Sequence, residues 1–197
     1  MEFKKIQLNG FKSFAEKTNF LIEDGLTGIV GPNGCGKSNI VESLRWAMGE
    51  TSAKSMRGSG MEDVIFNGTS NKASKNIAEV SIVVDNASHE GPLQYKDMDQ
   101  IEVRRKIEKD KGSKFYINDK EVRARDAQMF FADLSTGAHS PSMISQGRIG
   151  ALVTAKPTDR RAILEEAANI SGLHVRRHEA ELRLNAAEAN LKRADEL

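Results

Sequence analysis

Hydrophobic and polar positions divide the chain into three stretches. From the N-terminus, residues 2–9 and 18–30 carry apolar residues in short alternating or clustered runs, the pattern of β-strands. Gly10-Phe11-Lys12-Ser13-Phe14 reads as a turn between them. Leu26-Thr27-Gly28-Ile29-Val30 is apolar enough to predict a buried strand. After a glycine-rich break, Ile40, Leu44, Ala47 and Met48 recur at helical spacing, with Gly49 placed to cap the helix end. From Glu50 to Asn76 the composition turns to Ser, Gly, Lys and Asn, which predicts loop around one short strand at Asp63-Val64-Ile65-Phe66. Residues 78–86 read as a strand. Two further alternating runs, 101–107 and 114–118, flank Lys109 to Ser113 as a hairpin, and a helix is expected over 123–134.

The last forty residues differ in kind. Pro157 and Thr158-Asp159 predict a helix start. Beyond it acidic and basic residues alternate, and Ala180, Leu184, Ala187, Leu191 and Ala194 step by 4, 3, 4 and 3. That is the spacing of a coiled-coil seam, although two heptads also suit an amphipathic helix packed on its own domain. The pattern runs on to Leu197 without a stop signal, so the expected division is 1–157 and 158–197, with the partner helix lying elsewhere.

Composition narrows the functional classes only modestly. Lys plus Arg number 29 against 28 acidic residues, so the overall balance does not point to a polyanion. A local patch could: residues 101–125 hold nine Lys or Arg against five acids, beside Phe115 and Tyr116. Such a patch would contact phosphates of DNA without reading sequence, or form a solvated hairpin face. A single cysteine, Cys35, excludes a disulfide framework and suits a reducing compartment. No apolar run approaches the ~20 residues of a membrane span, and the expectation is a cytoplasmic protein.

The chemistry concentrates in Gly31-Pro32-Asn33-Gly34-Cys35-Gly36-Lys37-Ser38. This is the phosphate-binding loop pattern, set between an expected strand and an expected helix. Glycines let backbone N–H groups turn inward around a triphosphate, and the helix N-terminus adds positive potential. Lys37 would reach the β- and γ-phosphates of ATP, and the Ser38 hydroxyl would hold Mg²⁺. A self-contained enzyme of this kind needs a second acidic site. Asp85, ending an apolar run, offers one, but Asn86 follows where a catalytic Glu is required. Leu134-Ser135-Thr136-Gly137 falls short of a transporter-type signature, and His174 and His178 lack further metal ligands.

Several spaced motifs in order resemble the N-terminal head of bacterial structural maintenance of chromosomes (SMC) proteins. They are Gly10 to Phe14, Ile29 to Glu50, Lys54-Ser55-Met56-Arg57-Gly58, Met61 to Gly68, Ile144-Ser145-Gln146-Gly147-Arg148-Ile149 and Glu165 to Ser171. The resemblance implies an α/β, ABC-type P-loop ATPase half-head with a mixed or antiparallel β lobe and the start of a coiled-coil arm. Gln146 would then be the Gln-loop residue sensing Mg²⁺ and the attacking water. Arg57 would sit beside the nucleotide and couple hydrolysis to DNA, and Lys12, Ser13 and the stretch from Glu62 to Asn67 would line the base and ribose side. The implied partners are the protein's own C-terminal half-head, a second SMC head, regulatory subunits and nucleoid DNA. A split-head DNA-repair ATPase and a small P-loop kinase are the alternative readings.

Overall fold

The computed structural model describes residues 1–89 and 91–134, and beyond these 153–158, 160–161, 164, 177, 180–182, 184–188 and 191. It forms two compact units, Met1–His139 and Ser140–Leu197.

The first unit is built on six strands, β1 (Glu2–Asn9), β2 (Thr18–Leu21), β3 (Ile77–Asp85), β4 (Gln100–Glu108), β5 (Gly112–Ile117) and β6 (Lys120–Val122). They lie in the order β2-β1-β3-β4-β5-β6, and every pairing is antiparallel. Period-2 alternation sets the register. Ile6 and Leu8, Ala78 to Val84 at even positions, Ile101, Val103 and Ile107, then Phe115 and Ile117 are buried on one face. Helices α1 (Lys37–Ala47) and α2 (Ala124–Asp133) cover it with Ile40, Trp46, Ala47, Ala127, Phe130 and Phe131. Trp46 packs on Phe11 at 5.4 Å between ring centroids. Gly49, at φ 106°, takes the left-handed conformation that ends α1, and its N–H bonds to Trp46 O at 3.1 Å. A side chain there would also collide with Gln128, which donates to Gly49 O at 2.8 Å.

Three expectations from the sequence need correction. Of the run 18–30 only Thr18–Leu21 is a strand; Leu26 and Val30 are 98% and 95% exposed and Ile29 is 46% exposed. An apolar run becomes a buried strand only where neighbouring strands supply hydrogen bonds, and among the described residues none does so here. The segment expected as a strand at 63–66 is instead a 3-10 turn, Met61–Val64, followed by a single bridge from Ile65 to Phe11. Asp63 favours the turn by accepting from Ser59 N at 2.6 Å, Ser59 Oγ at 2.9 Å and Gly60 N at 2.9 Å. These bonds hold its carboxyl below the ordinary 3.8, so its contribution to stability is present above that pH and lost as pH falls through the lower folded value.

The third correction concerns Arg105, counted above with a DNA-facing patch. It is 4% exposed and points into the core. Its guanidinium donates to Trp46 O and Glu50 O at 2.7 Å each and to Ser113 Oγ at 2.7 Å. It stacks between the rings of Trp46 (4.5 Å) and Phe115 (4.7 Å). Burial pushes its pKa down to about 10, partly offset by Glu50, so it stays charged at neutral pH. Arg105 thus closes the C-terminal end of α1 and ties it to the β4–β5 hairpin. Arg105→Ala removes the charged donor from Trp46 O and Glu50 O together with both ring contacts, and is expected to cost about 3 kcal/mol or more. Denaturant unfolding followed through Trp46, the only tryptophan, checks this.

In the second unit the described residues at 177, 180–182, 184–188 and 191 are helical, with Arg177 Nε paired to Glu181 at 2.8 Å. The seam residues Ala180, Leu184, Ala187 and Leu191 are all exposed.

Candidate functional site

The loop from Gly31 to Gly36 delivers the chain into α1 at Lys37. Gly34 (φ 83°) and Gly36 (φ 96°) take backbone conformations that side-chain-bearing residues rarely adopt. At Gly36 a Cβ would also lie 2.4 Å from Ser13 Oγ, so the loop and the Gly10–Phe14 turn meet there without room for more. Lys37 Nζ reaches back across the loop to Gly31 O at 2.5 Å and Pro32 O at 2.6 Å. Helix α1 has no side-chain cap and no acidic residue in its first turn. Its leading N–H groups and dipole are therefore directed at whatever the loop encloses, an arrangement complementary to an anion. The donor set suits a nucleoside triphosphate, with Ser38, exposed at the second helical position, as the hydroxyl toward a metal ion. Cys35 is exposed, with its Sγ 3.7 Å from Lys37 Nζ.

Behind the loop, three further candidates converge. Ser13 Oγ accepts from Asn39 Nδ2 at 2.9 Å, and Asn39 Oδ1 accepts from Arg57 NH2 at 2.9 Å. Arg57 Nε pairs with Glu42, whose other oxygen takes Lys12 Nζ. Lys12 also donates to Met56 O, the carbonyl just before Arg57. Both Lys12 (φ 46°) and Arg57 (φ 54°) sit in the left-handed region, which turns the two side chains toward α1. Lys12 N bonds to Val64 O at 2.7 Å, fastening the same turn to the following loop. The geometry gathers Lys12, Ser13 and Arg57 at the first two turns of α1. Asn67 lies exposed, one residue past Phe66, whose N–H bonds Gly10 O at 2.8 Å. Gln146, His174 and His178 lie outside the described residues, as does most of the stretch after Leu134.

Asn39 and Glu42 are functional candidates that the sequence reading missed. With Ser43 and Trp46 they form an i, i+3, i+4, i+7 stripe on α1, and a polar start to a stripe ending in a buried Trp was the available signal. Asp85 does not join the site. It ends β3 at the opposite end from Ile77, whose carbonyl abuts Gly10, roughly 25 Å along the strand. There it faces Lys4 at 3.9 Å and accepts from Ala87 N at 3.0 Å.

Comparison with known proteins sets this geometry in a family. The model of the RecF/RecN/SMC N-terminal domain matches residues 2–148. The chain belongs to the RecF/RecN/SMC N-terminal domain family. Over all 197 residues it is 57% identical to the chromosome partition protein Smc of Cereibacter sphaeroides and 55% identical to that of Rhodopseudomonas palustris. In both cases it spans 17% of the relative's length. Among solved structures, an SMC head bound to the C-winged helix domain of ScpA matches with TM-score 0.80 at 30% identity, covering 87% of this chain and 52% of that one. An Smc head domain with an extended coiled coil, from Pyrococcus furiosus, matches with TM-score 0.79 at 30% identity, covering 98% of this chain and 48% of that one. A third structure, from work on ATP-driven dimerisation and DNA-stimulated activation of SMC ATPases, matches with TM-score 0.72 at 30% identity over 85% of this chain and 99% of that one. The fold is therefore that of an SMC head half, an ABC-type P-loop ATPase lobe.

Three basic residues of the SMC lobe's β4–β5 hairpin are partly neutralised by ion pairs. Arg104 faces Glu79 at 3.8 Å and Asp119 at 2.7 Å, and lies over the Tyr116 ring at 4.8 Å. Lys111 pairs with Glu108 and Lys114 with Glu121. Lys106, Lys111, Lys114 and Tyr116 nevertheless line one groove along the β4–β5 hairpin, with Glu108 among them. No helix among the described residues is long and apolar enough to cross a membrane.

Proposed function

We propose that this chain is the ATP-binding N-terminal half of an SMC ATPase head that organises chromosomal DNA. The observation that carries the reading is the pairing of two features in one lobe. The phosphate loop, with Lys37 arched over it, is formed and exposed, while the apolar segment leading into it, Leu26 to Val30, has no strand partner among the described residues. A run apolar on both faces suits a strand covered and flanked on every side. The protein's own C-terminal half-head would supply the flanking strands, together with the acidic residues that the described residues do not bring to Lys37. In this account ATP with Mg²⁺ sits on Gly31 to Ser38, Gln146 contacts the metal and the attacking water, and Lys12, Ser13 and Asn67 border the base and ribose. The bound metal would supply charge neutralisation at the phosphates.

Two such heads would close around two ATP molecules, with the helix beyond Thr158 beginning an antiparallel coiled-coil arm and regulatory subunits binding near the head. The exposed seam at Ala180, Leu184 and Leu191 supports an arm whose partner helix is supplied from elsewhere. DNA, bound without sequence preference, would lie along Lys106, Lys111 and Lys114. Exposed ion pairs are worth little, so a polyanion can displace their carboxylates. A nucleoid-associated, cytoplasmic location follows from that partner. For the full-length protein, sedimentation with a non-hydrolysable ATP analogue is expected to show head-dependent self-association that Lys37→Ala abolishes. Association indifferent to nucleotide would contradict ATP as the bond between heads.

A further inference from the structure

Glu42 stands apart from every group assigned above. It is 8% exposed, lies one turn into the helix that starts at Lys37, and meets two cations with its two oxygens. A carboxylate so buried is retained at a cost unless its partners need it. Lys12 does not depend on it alone, because Met56 O also accepts from Nζ. Arg57 does. Its side chain is 57% exposed and is carried on a left-handed residue at the end of a 3-10 turn. Two bonds orient the guanidinium: Nε to Glu42 and NH2 to Asn39 Oδ1. Both acceptors stand three residues apart on α1, so they grip one edge of the planar fork. Among the described residues NH1 has no hydrogen-bond or ion-pair partner.

We propose that Glu42, assisted by Asn39, is the positioning residue that docks Arg57 onto the phosphate-loop helix and presents its NH1 edge to an approaching phosphate group. The proposal rests on the reading that Arg57 couples DNA to hydrolysis, and adds the device that holds it. Because Asn39 and Glu42 belong to the helix whose first turn faces the nucleotide, any shift of that turn moves Arg57 with it. Glu42 also cancels one of the two positive charges; without it Lys12 and Arg57 repel, and the exposed arginine is the one free to swing away.

The test uses the full-length protein and reads the ratio of ATPase rate with DNA to rate without it. Glu42→Gln keeps the volume but cannot accept from both cations. The ratio is expected to fall by at least about tenfold, the scale of a lost charge-assisted bond. Adding Glu42→Gln to Arg57→Ala is expected to change the ratio no further, a non-additivity that a general loss of stability would not produce. Asn39→Ala, which removes one neutral acceptor and leaves Glu42 in place, gives a partial fall and serves if Glu42→Gln does not fold. If Arg57→Ala lowers the ratio while Glu42→Gln or Asn39→Ala leaves it at wild type, the positioning role is overturned and the role of Arg57 stands. Additive losses overturn it equally. An unchanged ratio in Arg57→Ala itself would overturn both.

Discussion

Arg57→Ala is expected to keep near-normal ATP binding while losing most DNA stimulation of turnover, and Lys37→Ala is expected to lose binding itself. The contrast follows from where the two cations stand. Lys37 spans the loop to Gly31 O and Pro32 O, so its charge lies where the phosphates would lie, and its removal also frees the loop that shapes the cradle. Arg57 is held behind that loop by Asn39 and Glu42 and makes no bond to the loop backbone. Its removal leaves Glu42 paired with Lys12, so no buried charge is stranded and the lobe stays folded. An arginine that acts as charge develops in the transition state can be worth ~10³-fold or more in turnover with little change in ground-state affinity. Equilibrium ATP binding and ATPase rates with and without DNA, measured on both full-length variants, check the pair. Unchanged DNA stimulation in Arg57→Ala, or an affinity loss equal to that of Lys37→Ala, would return Arg57 to a structural loop residue.

The strands β1, β3, β4 and β5 and both helices were legible because each writes its period into consecutive residues, and Gly49 and the Lys109–Ser113 turn mark their ends. Leu26 to Val30 was misread for an instructive reason. Its apolar content was read correctly, but strand structure is a property of the pairing, and none of the described residues pairs with it. Arg105 shows the complementary error. Counting charges placed it on the surface, whereas its position between Val103 and Ile107 in a period-2 run put it on the buried face. The alternation was the stronger signal, because register moves a whole set of side chains together. β6 went unread because three residues, Lys120-Glu121-Val122, are too few to show a period.

At the site, the phosphate loop could be read from residue types alone, since glycine at 34 and 36 and lysine at 37 are demanded by backbone geometry and charge. Bringing Lys12, Ser13 and Arg57 to one place needed the family resemblance, because they are separated by up to 45 residues and share no periodicity. Asn39 and Glu42, which join them, sit inside a helix whose apolar positions drew attention to the other face.

The split-head account is tested most directly by ATP turnover of residues 1–197 alone and mixed with the C-terminal half of the same protein. Among the described residues no cluster of acidic or histidine side chains could hold a metal ion, and Asp85 is held by Lys4 at the far end of β3. Without a positioned base and a complete charge-stabilising shell, turnover should fall on the order of 10³-fold or more below the assembled head. The account predicts negligible hydrolysis by the chain alone and restoration on adding the C-terminal half, both lost in Lys37→Ala. Robust, Lys37-dependent hydrolysis by the purified chain alone would contradict it.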